Sequence, residues 1–98
     1  MDYSLIIRRA KPTEEDVNAI RSVMIDAFEK YKLDTNLEGS MEALEETYED
    51  VYNDIVTKYV YICFVDGVPV GSIRVDINKE KKIAYISRFG VCRGYQNI

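Results

Sequence analysis

Residues 59–77 read YVYICFVDGVPVGSIRVDI, and this stretch decides the fold. Two β-prone runs flank Asp66-Gly67, a pair that is typical of a two-residue hairpin because both central residues of that turn need positive φ. The runs predict strands at Tyr59–Val65 and Val70–Ile77. Pro69 has no N–H to donate to a strand ladder, so we place it at a strand start or a sheet edge.

A third strand is predicted directly after the hairpin. Residues 78–82, NKEKK, indicate a charged turn, and the apolar-rich run Ile83–Val91 follows it. The large apolar residues of this run are predicted to share one face: Ile83, Tyr85, Phe89 and Val91. Gly90 inside the run indicates a bulge or a close backbone approach. Three consecutive strands joined by short turns predict an antiparallel meander.

Upstream of the hairpin, the sequence predicts one strand and two helices. Residues 3–9 form a short β-branched run that Pro12 closes, and Thr13 with Asp16 has the spacing of a capping box. Apolar residues then recur at helical spacing: Val17, Ile20, Met24, Ala27, Phe28 and Tyr31. Residues 32–39 break this spacing and predict a loop, with Ser40 as the next cap candidate. A second helical stripe, predicted to be core, follows: Leu44, Tyr48, Val51, Tyr52 and Ile55.

The predicted order of elements is therefore β-α-α-β-β-β. This order is typical of an α+β domain with a mostly antiparallel sheet and two N-terminal helices. The 98 residues fit one domain, residues 1–98, at the small end of the usual range.

The composition argues against several classes of protein. A net charge of −4 disfavours nucleic-acid binding. Histidine, the commonest metal ligand and general base, is absent from the sequence, so we predict no metal cofactor. There is neither an apolar run of membrane-spanning length nor a basic segment leading into an apolar block, which predicts a cytoplasmic protein without membrane contact. In a reducing compartment, Cys63 and Cys92 are expected to be free thiols in the core.

Several segments together resemble the first half of a GNAT-superfamily N-acetyltransferase. They are IIRRAKPTEEDVNAI (6–20), the hairpin VDGVPVGSIRV (65–75) and AYISRFGVCRGYQNI (84–98), with two helices between the first and the second. In that family the fourth strand ends in an apolar-x-Val pattern, and a Gln/Arg-x-x-Gly-x-Gly/Ala loop then opens a helix. Phe89-Gly90-Val91 matches the strand end, and Gln96-Asn97-Ile98 matches the first three loop positions. The two glycines would come next, so the resemblance implies a truncated GNAT-like acyl-CoA N-acyltransferase fold.

The resemblance also implies acetyl-CoA as co-substrate. Strand 83–91 would splay at its end, and the backbone around Phe89, Gly90 and Val91 would hold the acetyl carbonyl and the pantetheine arm. Gln96, Asn97 and Ile98 would begin the pyrophosphate cradle. A glycine-rich turn at a helix N-terminus suits that group because several N–H groups can approach the phosphates closely.

The implied reaction is direct attack on the thioester by a primary amine of a small molecule or a peptide. In the family, the acceptor site lies partly under the loop between the first two helices, which suggests Tyr31, Asp34 and Thr35 as lining residues. Seven acidic residues and no Lys or Arg lie between Glu38 and Asp54. They either attract a cationic acceptor or form a solvated helix face. The fourth strand has no Asp or Glu to act as base, so the catalytic residues stay unassigned.

A different class of function stays open at this point. The chain is then a non-catalytic α+β binding module, with an ordinary edge strand followed by a surface turn. An exposed edge invites pairing with another chain, so under either hypothesis we expect self-association, for example a dimer, through strand 83–91.

Overall fold

A computed structural model describes residues 3–35 and 46–95, without the side chains of residues 30–35 and 93. The elements in chain order are β1 (Leu5–Arg9), α1 (Glu14–Thr35), α2 (Tyr48–Thr57), β2 (Tyr59–Val65), β3 (Val68–Asn78) and β4 (Ile83–Val91). One 3₁₀ turn follows at Arg93–Tyr95. In the described part of the chain, the strands form one antiparallel sheet in the order β1-β2-β3-β4. This arrangement confirms the predicted α+β class.

The hairpin forms around the predicted pair, with φ of 51° at Asp66 and 81° at Gly67. The turn is also tied to the start of β1, because Ser4 N–H donates to Asp66 Oδ1 at 2.9 Å and Asp66 N–H donates to the Ser4 carbonyl at 2.9 Å. The strand β3 starts at Val68, two residues earlier than predicted. Pro69 pairs with Phe64 beside a shift in register, where the ladder is already irregular and a missing N–H costs little.

The two faces of the sheet have different surroundings. On one, which we call the helix face, residues of β2 and β3 pack against both helices. Its core consists of Ala10, Val17, Ile20, Met24, Val51, Ile55, Val60 and Ile62, with Phe28 and Phe64 packed against it. The other, which we call the open face, carries the alternate residues of each strand. No described helix packs on it, since α1 and α2 both lie on the helix face.

Helix α1 begins as predicted but runs further. Thr13 Oγ1 accepts from Asp16 N–H at 3.2 Å, which confirms the cap. Asp16 does not complete a capping box with Thr13, because its carboxylate instead accepts from Lys11 N–H at 2.8 Å and from Arg8. The helix continues to Thr35, so the loop predicted from residue 32 was wrong at its start. There is no Gly or Pro between residues 32 and 35 to end it, and Lys and Leu favour helix.

Helix α2 starts at Tyr48, and Thr47 caps it. Thr47 Oγ1 accepts from Asp50 N–H at 3.2 Å, while Asp50 Oδ2 accepts from Thr47 N–H at 3.0 Å, which completes a capping box. Ser40 and Leu44 lie outside the described residues. The prediction that Tyr48 and Tyr52 are core was wrong: both are exposed, and their rings stack at 6.5 Å. The buried residues of this helix are Val51 and Ile55.

Strand β4 occupies the predicted residues, but its predicted face was wrong. Arg74 pairs with Arg88 while Val75 pairs with Ile86, so Ser87 is an extra residue that forms a β-bulge. The side-chain alternation therefore changes at Ser87. Ile83 and Tyr85 fall on the side of the helix face, whereas Phe89 and Val91 fall on the open face.

Candidate functional site

The end of β4 is the part of the sheet that was predicted from the sequence to bind acetyl-CoA. Here Phe89, Gly90 and Val91 pair with Ile73, Ser72 and Gly71 of β3. Pairing with β3 thus persists to Val91, so the predicted splay does not separate β4 from β3. The strand is the last in the sheet order, and among the described residues no strand lies on its other side.

The direction of the backbone groups at this edge follows from one hydrogen bond. Cys92 N–H donates to the Val70 carbonyl of β3 at 2.7 Å. In an antiparallel strand, successive residues direct their N–H and C=O groups to opposite sides. The backbone groups of Gly90 therefore face β3, while those of Phe89 and Val91 face away from it. The Phe89 side chain, 60% exposed, projects from the open face.

Gly90 is required by packing rather than by a turn. A Cβ at this position would lie 2.8 Å from Met24 Sδ and 3.3 Å from Ala27 Cβ, so α1 passes directly over the glycine. This confirms the predicted close approach, whereas the bulge of this strand lies at Ser87. Gly90 therefore fixes the distance between α1 and the end of β4.

The chain turns immediately after β4. Tyr95 N–H donates to the Cys92 carbonyl at 2.9 Å and closes the 3₁₀ turn. The Cys92 thiol is half-buried and free, as is Cys63. Burial, helped by the nearby Asp26 carboxylate, raises the pKa of the Cys92 thiol, so the thiolate is disfavoured there. Gln96, Asn97 and Ile98, predicted to begin the phosphate cradle, lie outside the described residues.

The predicted acceptor residues lie in a helix. Tyr31, Asp34 and Thr35 belong to the last turns of α1 instead of a loop, which corrects the prediction for their backbone. Their side chains are not among those described, so their role as acceptor residues stays a prediction.

A buried arginine joins three elements beside this site. Arg74 of β3 has a side chain with no exposed area, and it reaches Glu46, two residues before α2, and Asp54 within α2. Its Nη1 donates to Glu46 at 2.5 Å and to Asp54 at 2.9 Å, while its Nη2 donates to the second Glu46 oxygen at 2.8 Å. Arg88 of β4, the direct cross-strand partner of Arg74, places Nε 4.0 Å from Glu46. Glu46 thereby bridges two arginines that would otherwise repel each other.

The cluster formed by Arg74, Glu46, Asp54 and Arg88 includes two residues of the acidic run between Glu38 and Asp54. Burial is the largest influence on the pKa of Arg74 and acts to lower it, but hydrogen bonds to Glu46 and Asp54 outweigh burial and the pKa is raised. Glu46 and Asp54 are thus committed to an internal cation, rather than to solvent or an acceptor. Arg74 was not singled out from the sequence, although its even-numbered position among Val70 and Ser72 places it on the buried side of β3.

Within residues 3–35 and 46–95, no three His, Cys, Asp or Glu side chains are grouped so that they could hold a metal ion. In the same residues, no helix combines the length and the apolar character needed to cross a membrane.

Known proteins that are similar to this chain are found among solved structures. A scan against protein families gives no match, and a search of curated proteins gives none either. Solved structures do match. The chain resembles the PaiA N-acetyltransferase of Thermoplasma acidophilum, solved with coenzyme A, with a TM-score of 0.79 and 20% identity over 95% of this chain and 62% of that one.

Two further structures show the same likeness. The chain is similar to a putative acetyltransferase from Pyrococcus horikoshii, with a TM-score of 0.63 and 27% identity over 94% of this chain and 28% of that one. It is also similar to a GNAT-family acetyltransferase from Streptococcus pneumoniae, with a TM-score of 0.62 and 16% identity over 96% of this chain and 58% of that one. This chain spans less than two thirds of each of these proteins. The chain therefore has a GNAT-like acetyltransferase fold, and the predicted resemblance is confirmed at the level of fold.

Proposed function

We propose that this chain carries the acetyl-CoA-binding strand of an N-acetyltransferase that transfers an acetyl group to a primary amine. The observation that carries the proposal is the edge of β4, where the Phe89 backbone faces away from β3 in a fold that acetyltransferases share. An exposed strand edge offers N–H and C=O groups at a spacing that suits an extended amide-containing ligand, such as a pantetheine arm.

The residues divide between two parts of the co-substrate. Phe89 and Val91 would meet the pantetheine arm and the acetyl carbonyl, and Gly90 between them holds α1 close to the strand. Gln96, Asn97 and Ile98 would begin the loop around the pyrophosphate, where backbone N–H groups and a helix N-terminus suit a doubly charged anion. Acetyl-CoA supplies the activated acetyl group, and an N–H donor at the β4 edge would stabilise the negative charge that develops on its carbonyl oxygen.

An amine must be neutral before it can attack, so its proton has to be removed. Glu46 is a carboxylate that reaches toward β4, but both of its oxygens accept hydrogen bonds from Arg74, and Arg88 Nε lies 4.0 Å from one of them. We therefore assign Glu46 to the structural cluster and no residue to the role of base.

The acceptor is proposed to be a primary amine on a small molecule or a peptide, approaching from the end of α1 where Tyr31, Asp34 and Thr35 lie. Among the described residues of the acidic run, Glu49 stays exposed, while Asp50 is bound in the cap of α2. Electrostatic attraction of a cationic acceptor by this run is therefore weaker than the sequence alone suggests.

The proposal is tested by titrating acetyl-CoA into the 98-residue chain by calorimetry and by following its melting temperature. Binding to the folded state stabilises it by about 2.7 kcal/mol when the ligand exceeds its Kd by about a hundredfold. Phe89→Pro removes the outward N–H without touching the ladder to β3, and Phe89→Ala removes only the ring. We expect Phe89→Pro to weaken binding by about tenfold, the worth of one hydrogen bond, and Phe89→Ala to retain most of it.

The result that contradicts the proposal is a chain that melts at the same temperature with and without acetyl-CoA and shows no heat of binding. Equal loss of affinity in both Phe89 variants would show that the backbone N–H of residue 89 does not contribute to binding. A null titration would instead favour the second candidate, a non-catalytic α+β module that associates through the edge of β4. That candidate has one observation in its favour, which is the position of β4 as the last strand in the sheet order.

A further inference from the structure

The extra residue of β4 is held in place by side-chain hydrogen bonds. Ser87 has no partner in the register of β3 and β4, because the ladder passes from Ile86 to Arg88. A bulge leaves such a residue outside the regular ladder, so its polar groups need other partners. Ser87 Oγ donates to the Arg74 carbonyl of β3 at 3.4 Å, and Arg88 Nη1 donates to the Ser87 carbonyl at 2.9 Å. The carbonyl of the bulge is therefore held by the side chain of the next residue.

The guanidinium that holds this carbonyl also lies beside Glu46. Arg88 Nε is 4.0 Å from Glu46 Oε2, and both Glu46 oxygens accept hydrogen bonds from Arg74, at 2.5 and 2.8 Å. The Glu46 side chain is 11% exposed and is fixed by those two bonds, while the Arg88 side chain is 29% exposed. A guanidinium presents donors on separate nitrogens in one rigid plane, so it can face two acceptors at once. Arg88 thus connects the bulge in β4 to the segment that precedes α2.

The bulge decides which way the following backbone points. Gly90 lies opposite Ser72, and Phe89 lies opposite Ile73 with its N–H and C=O directed away from β3. These directions alternate with every residue, so a shift of one residue would turn the Phe89 backbone toward β3. Any loosening of the bulge therefore changes how often the Phe89 backbone is presented at the edge. The residue that holds the bulge affects that edge without touching a ligand there.

We propose that Arg88 is a positioning residue for the edge of β4: by joining the Ser87 carbonyl to Glu46, it holds the bulge and keeps the Phe89 backbone directed outward. The ligand, acetyl-CoA, rests on the function proposed above, whereas the positioning rests on the contacts of Arg88 itself. The Arg88 side chain lies with that of Arg74 on the helix face, whereas Phe89 projects from the open face. Arg88 therefore acts through the bulge and is not placed against the substrate.

The first test compares three variants by calorimetric titration of acetyl-CoA into the 98-residue chain. Arg88→Met removes the guanidinium, and Arg88→Lys keeps the charge as a single point without the planar fork. Arg9→Met is the matched control, since Arg9 also donates to a backbone carbonyl, that of Lys58 at 3.5 Å, but from β1 at the opposite side of the sheet. We expect Arg88→Met to weaken binding by about three- to tenfold, Arg88→Lys to resemble it, and Arg9→Met to stay within about twofold of the parent chain.

The second test measures the bulge directly, without ligand, by amide hydrogen exchange in NMR. The Gly90 N–H faces β3 just beyond the bulge, and the Ile62 N–H lies in β2, which is paired on both sides. Local opening of β4 exposes the first amide alone, whereas global unfolding exposes both. In Arg88→Met we expect exchange at Gly90 to accelerate by about three- to tenfold more than exchange at Ile62. Arg9→Met should leave the ratio of the two rates unchanged.

The two tests separate failure of this proposal from failure of the proposed function. If the parent chain gives no heat with acetyl-CoA, the proposed function fails, and the exchange ratio still decides the role of Arg88. A raised ratio in the variant then supports positioning, and an unchanged ratio overturns it. If Arg88→Met does not fold, Arg88→Lys is measured in both tests against the same expectations.

Each of three other results overturns the proposal. Parent-like affinity in Arg88→Met shows that β4 presents its edge without Arg88. Parent-like affinity in Arg88→Lys, with loss in Arg88→Met, assigns Arg88 a role as a charge. Equal acceleration of exchange at Gly90 and Ile62 shows that Arg88 only stabilises the whole fold.

Discussion

Replacement of Arg74 by Met tests whether the buried cluster holds the two layers of the fold together. The change removes the guanidinium that donates to both Glu46 and Asp54 at 2.5 to 2.9 Å, while Met retains most of the side-chain volume. Removing one partner of a buried ion pair costs about 3 to 5 kcal/mol, because the other charge is left without a partner. The two carboxylate side chains are 11% and 21% exposed, and Lys58 and Arg88 remain 3.4 Å from Asp54 and 4.0 Å from Glu46, so the loss is partly compensated and we expect the lower end, about 3 kcal/mol.

That loss is large for a domain of this size. A chain of about 100 residues is stable by about 5 to 15 kcal/mol, and 1 kcal/mol shifts its melting temperature by about 4 to 8 °C. Arg74→Met is therefore expected to melt roughly 12 to 24 °C below the parent chain. Urea unfolding followed by circular dichroism gives the free energy of unfolding directly.

Two matched variants separate the buried charge from ordinary surface pairing. Lys58→Met removes a cation 3.4 Å from the same Asp54, but the Lys58 side chain is 26% exposed, so we expect a cost under about 1 kcal/mol. Adding Glu46→Gln and Asp54→Asn to Arg74→Met removes the two carboxylate charges that Arg74 no longer neutralises and should recover about 1 to 2 kcal/mol. The reasoning fails if Arg74→Met costs no more than Lys58→Met, or if the added neutral residues destabilise the chain further.

Two smaller changes test other contacts of α1. The hydrogen bond from Arg8 is the largest influence on the pKa of Asp16 and lowers it, so this carboxylate stabilises the fold above its unfolded pKa of about 3.9 and loses that effect as the pH falls through its folded value. Asp16→Asn should therefore lower the free energy of unfolding by about 2 kcal/mol at pH 7. In urea unfolding, the difference in this free energy between the variant and the parent chain should shrink below about pH 4. A difference that stays constant across this pH range would contradict the link between the Asp16 pKa and stability. Gly90→Ala should cost about 1 to 3 kcal/mol in thermal unfolding because its Cβ meets Met24, whereas Gly94→Ala, with nothing within 4 Å, should be nearly neutral; equal effects would refute the close approach.

The features that could be predicted from the sequence are those that local chemistry determines. Asp66-Gly67 specifies its turn through the φ values that both residues tolerate, and the strands on either side follow from it. Thr13 caps α1 through its own hydroxyl, three residues from the N–H that it accepts. The bounds of β4 were also predicted correctly, because a charged turn precedes it and the apolar run is short. None of these depends on knowing which elements pack together.

The features that were missed depend on packing between distant elements. Tyr48 and Tyr52 have the spacing of a buried stripe, but in the packed structure α2 buries Val51 and Ile55 while both tyrosines stay exposed. Similarly, Arg74 hydrogen-bonds Glu46 at a separation of 28 residues, and no local sequence pattern predicts that pairing. The acidic run around α2 was interpreted without its cation for the same reason. Periodicity identifies which residues can be buried, but the partner surface decides which of them are.

The bulge at Ser87 connects these separate observations at the candidate site. In a regular ladder without the extra residue, Phe89 would pair with Ser72 on the helix face, where Met24 and Ala27 leave no room even for a Cβ. The extra residue instead puts Gly90 opposite Ser72, which lets α1 pass close over the strand. It also turns Phe89 to the open face and keeps Arg88 beside Arg74, within reach of Glu46. One inserted residue therefore lets the helix approach, completes the ion cluster and directs the Phe89 backbone away from β3, so the proposed acetyl-CoA edge depends on the bulge as much as on the residues that would touch the ligand.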